Sequence, residues 1–391
     1  MHALDILRGI ALAGMFLVHF NLYAVDEDSP SRLSALYESK VPLLFEERFW
    51  AMFGILFGVG FAVQMRRAEA RGAAFTTTYL RRLAALAGFG FIAHAVFGFN
   101  VLLGYAAWGV PLLLVRNWPV RRLVIAAVIS AASWSVFDIA QAGYRSAAVG
   151  DEAYRAERTA VADGNRAFLS ENRAAQEAPH YPAVFRARLQ HMSWFYAQAF
   201  SFLPVNTFTL FLLGVIGLRT GLFDAPARHQ RVIAALMVFG AASWATSHWL
   251  LPVEIDGLEG PLVARVAAAR LAAGFGVIRE MWLVFTYIGA VLLVAARRPA
   301  WIQWLAPFGW TGRMALTNYM VQIAILDVAF SNYALRLAPT RMQALAAAVA
   351  LFAANAWISR WWLSRYRFGP LEWIWRTLTY GRPPLIAPTR T

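Results

Sequence analysis

The first twenty residues combine an apolar helical pattern with three ionisable side chains. Met1–Phe20 reads MHALDILRGIALAGMFLVHF and carries Asp5, Arg8 and His19. A charged side chain at the centre of a membrane span costs about 2.5–3.5 kcal/mol on insertion scales. At about 100° per residue, the three side chains fall within about 60° of one another on a helix. They form one stripe that requires water or a protein partner, with Arg8 and His19 about 16 Å apart along the axis.

These residue types indicate phosphate binding and general-base chemistry. Guanidinium groups bind phosphate through paired hydrogen bonds, and an imidazole titrates near neutrality, which suits a general base. His94, in the apolar stretch RRLAALAGFGFIAHAVFGFN, is the second candidate base. For His19 and His94, catalytic and core-packing roles are about equally open. For His191 and His248, we favour a core residue bonded to a neighbouring backbone group.

Composition places these residues in a polytopic membrane protein. The chain has 391 residues, of which 59% are hydrophobic, and its mean hydropathy is +0.49. This composition predicts an all-α membrane helix bundle. The absence of cysteine excludes disulfides, thiolate zinc sites and a cysteine nucleophile, and we expect no metal. The net charge of +14 lies mostly in arginine clusters between apolar runs, which argues against a nucleic-acid partner.

Apolar stretches of about 20 residues predict ten transmembrane helices. The predicted spans are 3–24, 44–65, 80–99, 101–116, 122–142, 192–218, 230–251, 279–296, 308–330 and 341–362. The stretch 262–280 is mildly amphipathic, and an interfacial helix, a re-entrant piece and half of an overlong span remain open for it.

The arginine distribution predicts that both termini are cytoplasmic. Loops on one side of a ten-span model collect the arginines, as the positive-inside rule requires. We expect a single integral membrane domain over 1–391, with an outer-side helical or loop insertion at 143–190 and a cytoplasmic interfacial segment at 363–391. The composition of the insertion predicts a helix up to about Gln176. The insertion caps the bundle, gates an outer site or is a solvated loop without a chemical role. The arginines on the predicted inner side include Arg66, Arg67, Arg81, Arg82, Arg116, Arg121, Arg122, Arg219, Arg297, Arg298 and Arg365.

Further polar residues interrupt the apolar runs. Asn100 follows the span of His94, and FGWTGRMALTNYMVQ places Arg313, Asn318, Tyr319 and Gln322 close together. Such residues line a substrate site or act as interhelical hydrogen-bond partners worth about 0.6 kcal/mol each. Gly54, Gly58 and Gly60 in FGILFGVGF predict close helix packing.

Five segments together resemble the YeiB-type family of bacterial inner-membrane proteins. They are LDILRGIA at 4–11, LFGVGF at 56–61, RRL at 81–83 with His94, GRMALTNYMVQ at 312–322 and GPLEWIWRTLTY at 369–380. The last block is the most specific and contains Glu372 and Arg376, which we count among the substrate-site or structural polar residues. The opening motif is also similar to that of transmembrane acyltransferases, including sugar O-acyltransferases and heparan glucosaminide N-acetyltransferase.

The resemblance implies acyl transfer from cytoplasmic acyl-CoA. The sugar O-acyltransferases carry a catalytic histidine late in the first span after LRG, and His19 holds that position here. YeiB-type chains usually have asparagine there, so this chain resembles the enzymes more. The family's Gly-Asp pair after its second histidine is replaced here by Phe99 and Asn100, so His94 lacks the expected acidic partner.

The leading hypothesis is a membrane acyltransferase of the bacterial inner membrane. Arg8, Arg81, Arg82 and Arg313 would bind the coenzyme A phosphates, Asp5 would orient Arg8, and His19 would activate a hydroxyl or amine acceptor, with a glycan as one candidate. The alternative is a transporter or flippase of a small polar or lipid-linked solute, and a third reading is a non-catalytic scaffold. Membrane lipid is an expected partner, and the oligomeric state stays open, with a homodimer among the alternatives.

Overall fold

The computed structural model of the chain is built from helices. It describes residues 3–25, 31–46, 48–99, 101–197, 202–250, 261–381, 383 and 385. This part of the chain contains no strand, only an isolated bridge between Val25 and Thr340, and the predicted all-α class is confirmed for it. The helices are α1 (Ala3–Leu22), α2 (Arg32–Phe45), α3 (Arg48–Glu69), α4 (Phe75–Phe97), α5 (Val101–Gly109), α6 (Leu112–Val115), α7 (Val120–Val149), α8 (Asp151–Gln176), α9 (Tyr181–Ala197), α10 (Phe202–Arg219), α11 (Gln230–Leu250), α12 (Leu262–Arg297), α13 (Ala306–Arg313), α14 (Ala315–Phe330), α15 (Arg341–Arg365) and α16 (Pro370–Tyr380).

Several helices have the length and composition of membrane spans. Among the described residues, five candidate spans are found, by length and apolar composition, at Ala3–Leu22, Arg32–Glu69, Phe75–Phe97, Val120–Val149 and Arg341–Arg365. Shorter apolar helices cover parts of the remaining predicted spans, including Asn206–Arg219 and Ala315–Phe330. The chain is therefore a helical protein with several segments suited to a bilayer.

Two predicted spans are broken helices. The span at 101–116 divides into α5 and α6 at Pro111, since proline has no backbone N–H and disrupts a continuing helix. The span at 308–330 divides into α13 and α14 at Met314, whose backbone leaves the helical region at φ −112° and ψ 36°. Apolar composition averaged over a span does not reveal such a break, because it carries no information about the backbone dihedral angles of single residues.

The stretch 262–280 belongs to one overlong helix. α12 runs unbroken for 36 residues and includes the predicted span at 279–296. Of the three alternatives for 262–280, the structure therefore has the last, half of an overlong helix. The predicted span at 192–218 falls on α9 and α10, which end and begin at Ala197 and Phe202; residues 198–201 lie outside the described part.

α1 lies at the centre of the bundle. It packs against α2, α3, α13, α14 and α15, and its apolar side chains enter three separate core clusters. Ile6 joins the cluster with α3 and α12, Leu12 joins the cluster with α4 and α14, and Phe16 joins the cluster with α2 and α15. The helix that carries the polar stripe is thus held on several sides by apolar packing.

Glycines bring α3 and α10 into backbone contact, as the FGILFGVGF segment predicts. A Cβ at Gly58 would overlap the carbonyl oxygen of Phe211, and a Cβ at Gly214 would overlap that of Ile55. A Cβ at Gly54 would lie 3.0 Å from the side chain of Leu210, whereas a Cβ at Gly60 would have only Gln64 nearby, at 4.0 Å. Gly54 and Gly58 therefore form the packing face, and Gly60 is not part of it.

The 143–190 segment folds into helices that pack on one end of the bundle. α8 ends at Gln176, where the sequence predicts the end of a helix. Asn172 donates to the carbonyl of Ala187 at 2.7 Å and joins α8 to α9. α9 in turn contacts α4, so the segment is helical and is joined to the bundle through α9.

Substitution of Gly58 tests the α3–α10 contact. Gly58→Ala places a Cβ where the Phe211 carbonyl lies, so we expect a stability loss of about 1–3 kcal/mol, typical of overpacking. The matched control is Gly88→Ala on α4, where the added Cβ meets no atom within 4 Å. Thermal unfolding of the purified protein in detergent measures both; equal unfolding temperatures for the two variants would contradict the packing assignment.

Candidate functional site

Asp5 and Arg8 form an ion pair on the first turns of α1. Arg8 Nη1 donates to Asp5 Oδ1 at 2.9 Å, and both side chains are partly exposed. α13 lies directly against this turn, because a Cβ at Gly9 would overlap the Phe308 carbonyl and a Cβ at Gly312 would overlap the Asp5 carbonyl. The backbone contact fixes where Arg8 lies at this end of the bundle.

Three arginines approach one another at this end, and we call Arg8, Arg82 and Arg376 the inner arginine cluster. Arg8 and Arg376 both repel the charge of Arg82. The Arg82 guanidinium stacks 3.8 Å above the ring of Trp375, whose Nε1 donates to the Arg82 carbonyl at 2.9 Å. Within the described residues, Arg82 and Arg376 have no carboxylate ion-pair partner. Stacking leaves the guanidinium N–H groups of Arg82 available to an anion.

The electrostatics of Arg376 agree with an unneutralised cluster. Burial, and then the positive charges of Arg367 and Arg67, lower the pKa of Arg376. Asp5 offsets part of the charge of Arg8, and Glu372 offsets part of the charge of Arg376. In the described structure, however, Glu372 forms no ion pair with the cluster. Such a concentration of positive charge favours a bound anion such as a phosphate.

Glu372 joins α16 to the beginning of α14. Its Oε1 accepts hydrogen bonds from the backbone N–H groups of Leu316 and Thr317 at 2.7 and 3.1 Å. Its Oε2 accepts a hydrogen bond from the Thr317 hydroxyl at 2.6 Å. The first N–H groups of a helix lack partners within the helix, so Glu372 caps α14 from a distant segment. Burial raises the pKa of Glu372.

His19 meets Gln322 between α1 and α14. The two side chains approach at 3.3 Å, between His19 Nδ1 and Gln322 Nε2, and the ring of Phe99 lies 4.9 Å from the imidazole centroid. Gln322 is completely buried. Its Oε1 and the hydroxyl of neighbouring Tyr319 have no hydrogen-bond partner in the described protein. Buried polar atoms without partners are uncommon and indicate a missing water or ligand.

The orientation of the Gln322 amide decides the tautomer of His19. If the amide nitrogen faces Nδ1, the imidazole proton lies on Nε2 and that atom is a donor. If the amide oxygen faces Nδ1, Nδ1 carries the proton and Nε2 is free to act as a base. Both orientations place the side-chain atoms at the same positions, because the amide oxygen and nitrogen are distinguished only by their hydrogen bonds.

His94 pairs with His191 of α9. His94 Nε2 lies 3.1 Å from His191 Nδ1, while Nδ1 of the buried His94 has no partner in the described protein. The ring of Tyr196 lies 6.0 Å from that of His94. The sequence favours a backbone partner for His191, but in the structure its partner is the side chain of His94.

A buried ion pair that sequence reasoning missed lies beside this histidine pair. Arg188 of α9 binds Asp327 of α14 and the carbonyl of Val96, and both charged side chains are less than 7% exposed. Asp327 also accepts from the hydroxyls of Ser331 and Tyr333. A signal existed in the sequence, because Asp327 interrupts the apolar run AILDVAF and an ionisable residue there is costly.

The remaining predicted site residues lie elsewhere. Asn318 donates to the Thr311 carbonyl and the Ser359 hydroxyl, both at 3.0 Å, and joins α13, α14 and α15. Arg313 is exposed and donates to the Arg367 carbonyl at 3.5 Å. Arg81 is exposed beside Arg82. Asn100 and His248 lie outside the residues whose side chains are described.

The cap formed by Glu372 has a testable pH dependence. Because the pKa of Glu372 is raised in the folded protein, its contribution to stability is present below the ordinary glutamate value of about 4.3 and is lost as the pH rises through the raised pKa. We expect Glu372→Gln, which keeps an acceptor oxygen, to remove this pH-dependent loss.

Thermal unfolding in detergent, followed upward from about pH 4.3, measures the effect. Glu372→Leu leaves the Leu316 and Thr317 N–H groups without an acceptor and should cost about 1–3 kcal/mol at every pH. Glu171→Gln, an exposed position on α8, is the matched control. Parallel pH curves for wild type and Glu372→Gln would show that Glu372 ionisation does not affect folding.

Comparisons with known proteins found a family model that is similar to the C-terminal part of the chain. Residues 218–382 match the family model described as "Protein of unknown function (DUF418)". No solved structure was found to match the chain.

Three bacterial relatives are similar to this chain. Uncharacterized protein YxaH of Bacillus subtilis (strain 168) is 26% identical over 401 residues, covering 96% of this chain and 93% of the relative. An uncharacterized 39.9 kDa protein in the amylase 3′ region of Bacillus acidopullulyticus is 26% identical over 388 residues, covering 97% and 93%. Uncharacterized protein YeiB of Escherichia coli (strain K12) is 43% identical over 68 residues, covering 17% and 18%. The C-terminal part of the chain is thus similar to this family model, and a short segment is similar to YeiB.

Proposed function

We propose that the protein is a membrane acyltransferase that uses acyl-CoA as donor and a hydroxyl or amine as acceptor. The observation that carries the proposal is the pairing of His19 with buried Gln322 beside polar atoms that lack partners. The same helix, α1, carries Arg8 of the inner arginine cluster about 16 Å away along its axis. This spacing suits acyl-CoA, because its phosphates and its thioester lie at opposite ends of the molecule. Arg8 would bind the phosphates, and His19 would lie near the thioester.

The chemistry assigned to His19 is general-base catalysis. Bound acyl-CoA would supply the thioester carbonyl at which the acceptor forms its new bond while the carbon–sulfur bond breaks. Nε2 of His19 takes the proton from the acceptor and returns it to the departing sulfur, so no net proton is released. This role requires the amide oxygen of Gln322 to accept from Nδ1–H, which keeps Nε2 unprotonated.

Two unpartnered polar atoms on α14, in the side chains of Tyr319 and Gln322, suit the acceptor. The Tyr319 hydroxyl both donates and accepts, and the free atom of the Gln322 amide supplies a second polar contact. A hydroxyl-bearing acceptor such as a glycan offers both donors and acceptors for these atoms. We assign His94, paired with His191, as the second catalytic candidate on the acceptor side.

The inner arginine cluster is assigned to the donor's phosphates. Arg8 and Arg82 belong to the predicted donor site, and Arg376 joins them through its electrostatic contact with Arg82. Asp5 orients Arg8 through the 2.9 Å ion pair. Arg81 and Arg313 stay predictions of the sequence, since no described contact joins either of them to the cluster.

The proposal includes a membrane topology. Ten crossings with both termini cytoplasmic would direct the inner arginine cluster toward cytoplasmic acyl-CoA in the bacterial inner membrane, with the 143–190 insertion on the opposite side. The bias of arginine toward one set of loops supports this orientation, as does the position of Asp5 and Arg8 at the opposite end of α1 from His19. The relation to the acyltransferase superfamily is part of the same proposal.

A transporter or flippase is the second candidate. The buried Arg188–Asp327 pair and the broken helix at Met314 favour it, because intramembrane ion pairs and interrupted helices occur along solute routes. Counterflow of a solute in proteoliposomes without acyl transfer would support transport over catalysis.

Substitution at His19 and Arg82 tests the two ends of the site separately. We expect His19→Ala to lower kcat by about 10²–10⁴-fold, the usual contribution of a general base, and to leave acyl-CoA binding unchanged. We expect Arg82→Gln to weaken acyl-CoA binding by about tenfold or more, since a charge-assisted hydrogen bond is lost.

The measurements are acyl transfer by purified protein and equilibrium binding of acyl-CoA. The matched controls are His180→Ala, at an exposed position before α9, and Arg81→Gln, beside Arg82. Full activity of His19→Ala would remove His19 from the mechanism. Equal binding losses for Arg81→Gln and Arg82→Gln would show that only general charge matters.

A further inference from the structure

Three exposed arginines lie over aromatic rings where α15 ends, and we call Arg360, Arg365 and Arg367 the tail arginine group. Their guanidinium carbons lie 5.0, 4.4 and 5.3 Å from the ring centroids of Trp310, Trp361 and Phe368 respectively. A cation–π contact restrains the guanidinium over the ring and does not use its N–H groups, which can then bind a phosphate through paired hydrogen bonds.

The tail arginine group forms no ion pair with a carboxylate among the residues that the structure describes. Residues 328–391 contain eight arginines and one carboxylate, Glu372, whose two oxygens already accept from Leu316 and Thr317. In the part of the chain that the structure describes, no carboxylate pairs with any of the three arginines. The positive charge is therefore left for an external anion.

The exposed face of α15 continues directly into this group. Val349, Trp357 and Trp361 are 57%, 69% and 44% exposed, and their spacing places them along one side of the helix. α15 is itself a candidate membrane span. An apolar face that ends in arginine and tryptophan is the arrangement found where a span leaves the hydrocarbon and enters the headgroup region.

We propose that the tail arginine group binds the headgroup phosphate of an anionic phospholipid whose acyl chains lie along the exposed face of α15. A lipid fits this surface because the charged group and the apolar face are continuous, whereas a soluble phosphate would use the charged part alone. The proposal does not depend on acyl transfer, because Arg8 and Arg82 take no part in it.

Native mass spectrometry tests the proposal on the full-length protein in detergent doped equally with phosphatidylglycerol and phosphatidylcholine. We expect the wild type to retain phosphatidylglycerol about tenfold or more over phosphatidylcholine. Combined substitution of Arg360→Gln, Arg365→Gln and Arg367→Gln should abolish this preference. The matched control removes three exposed arginines of α8, as Arg155→Gln, Arg166→Gln and Arg173→Gln, and should keep it.

A tail variant that keeps the wild-type preference would overturn the proposal. So would full displacement of the lipid by soluble glycerol phosphate, since that result identifies a site for free phosphate. The single variant Arg365→Gln gives a second test should the combined variant fail to fold. It should lower the preference several-fold, and an unchanged preference would contradict the lipid assignment.

Discussion

The backbone contact between α1 and α13 is the constraint on which the rest of the site depends. Gly9 lies against the Phe308 carbonyl and Gly312 against the Asp5 carbonyl, so neither helix can slide along the other without steric overlap. Because α14 follows α13 after one residue, this contact also sets the height of α14 relative to α1. A shift of one helical turn, about 5.4 Å, would separate His19 from Gln322.

Some charged side chains of the bundle form ion pairs, and others have no carboxylate partner in the described structure. At one end, Arg188 and Asp327 neutralise each other, and their loss one at a time would leave a buried charge without its partner. At the other end, Arg82 is stacked on Trp375 but has no carboxylate partner in the described structure. Paired groups join helices together, whereas unpaired groups remain available for a ligand. This contrast supports a binding role for the inner arginine cluster and not for the Arg188–Asp327 pair.

Local patterns predicted part of this structure and could not predict the rest. Helical periodicity placed Asp5 and Arg8 on one face of α1, where they form an ion pair, and glycine spacing predicted the α3 packing face. The contact of His19 with Gln322 joins residues 303 positions apart, and no local pattern encodes which helices meet. The break at Met314 was also missed, because mean hydropathy does not register a change in backbone dihedral angles. Glu372 belonged to a specific sequence block, but its capping of α14 becomes evident only when α16 is placed beside α14.

The central claim is that His19 and Gln322 act as one catalytic unit, and a double-mutant cycle on the acyl-transfer rate tests it most directly. His19→Ala, Gln322→Met and the combined variant would be compared with the wild type at saturating acyl-CoA. If Gln322 acts only by orienting His19, the combined variant is no slower than His19→Ala alone. If the rate loss of the combined variant equals the product of the two single losses, the residues act independently, and that result would contradict the account.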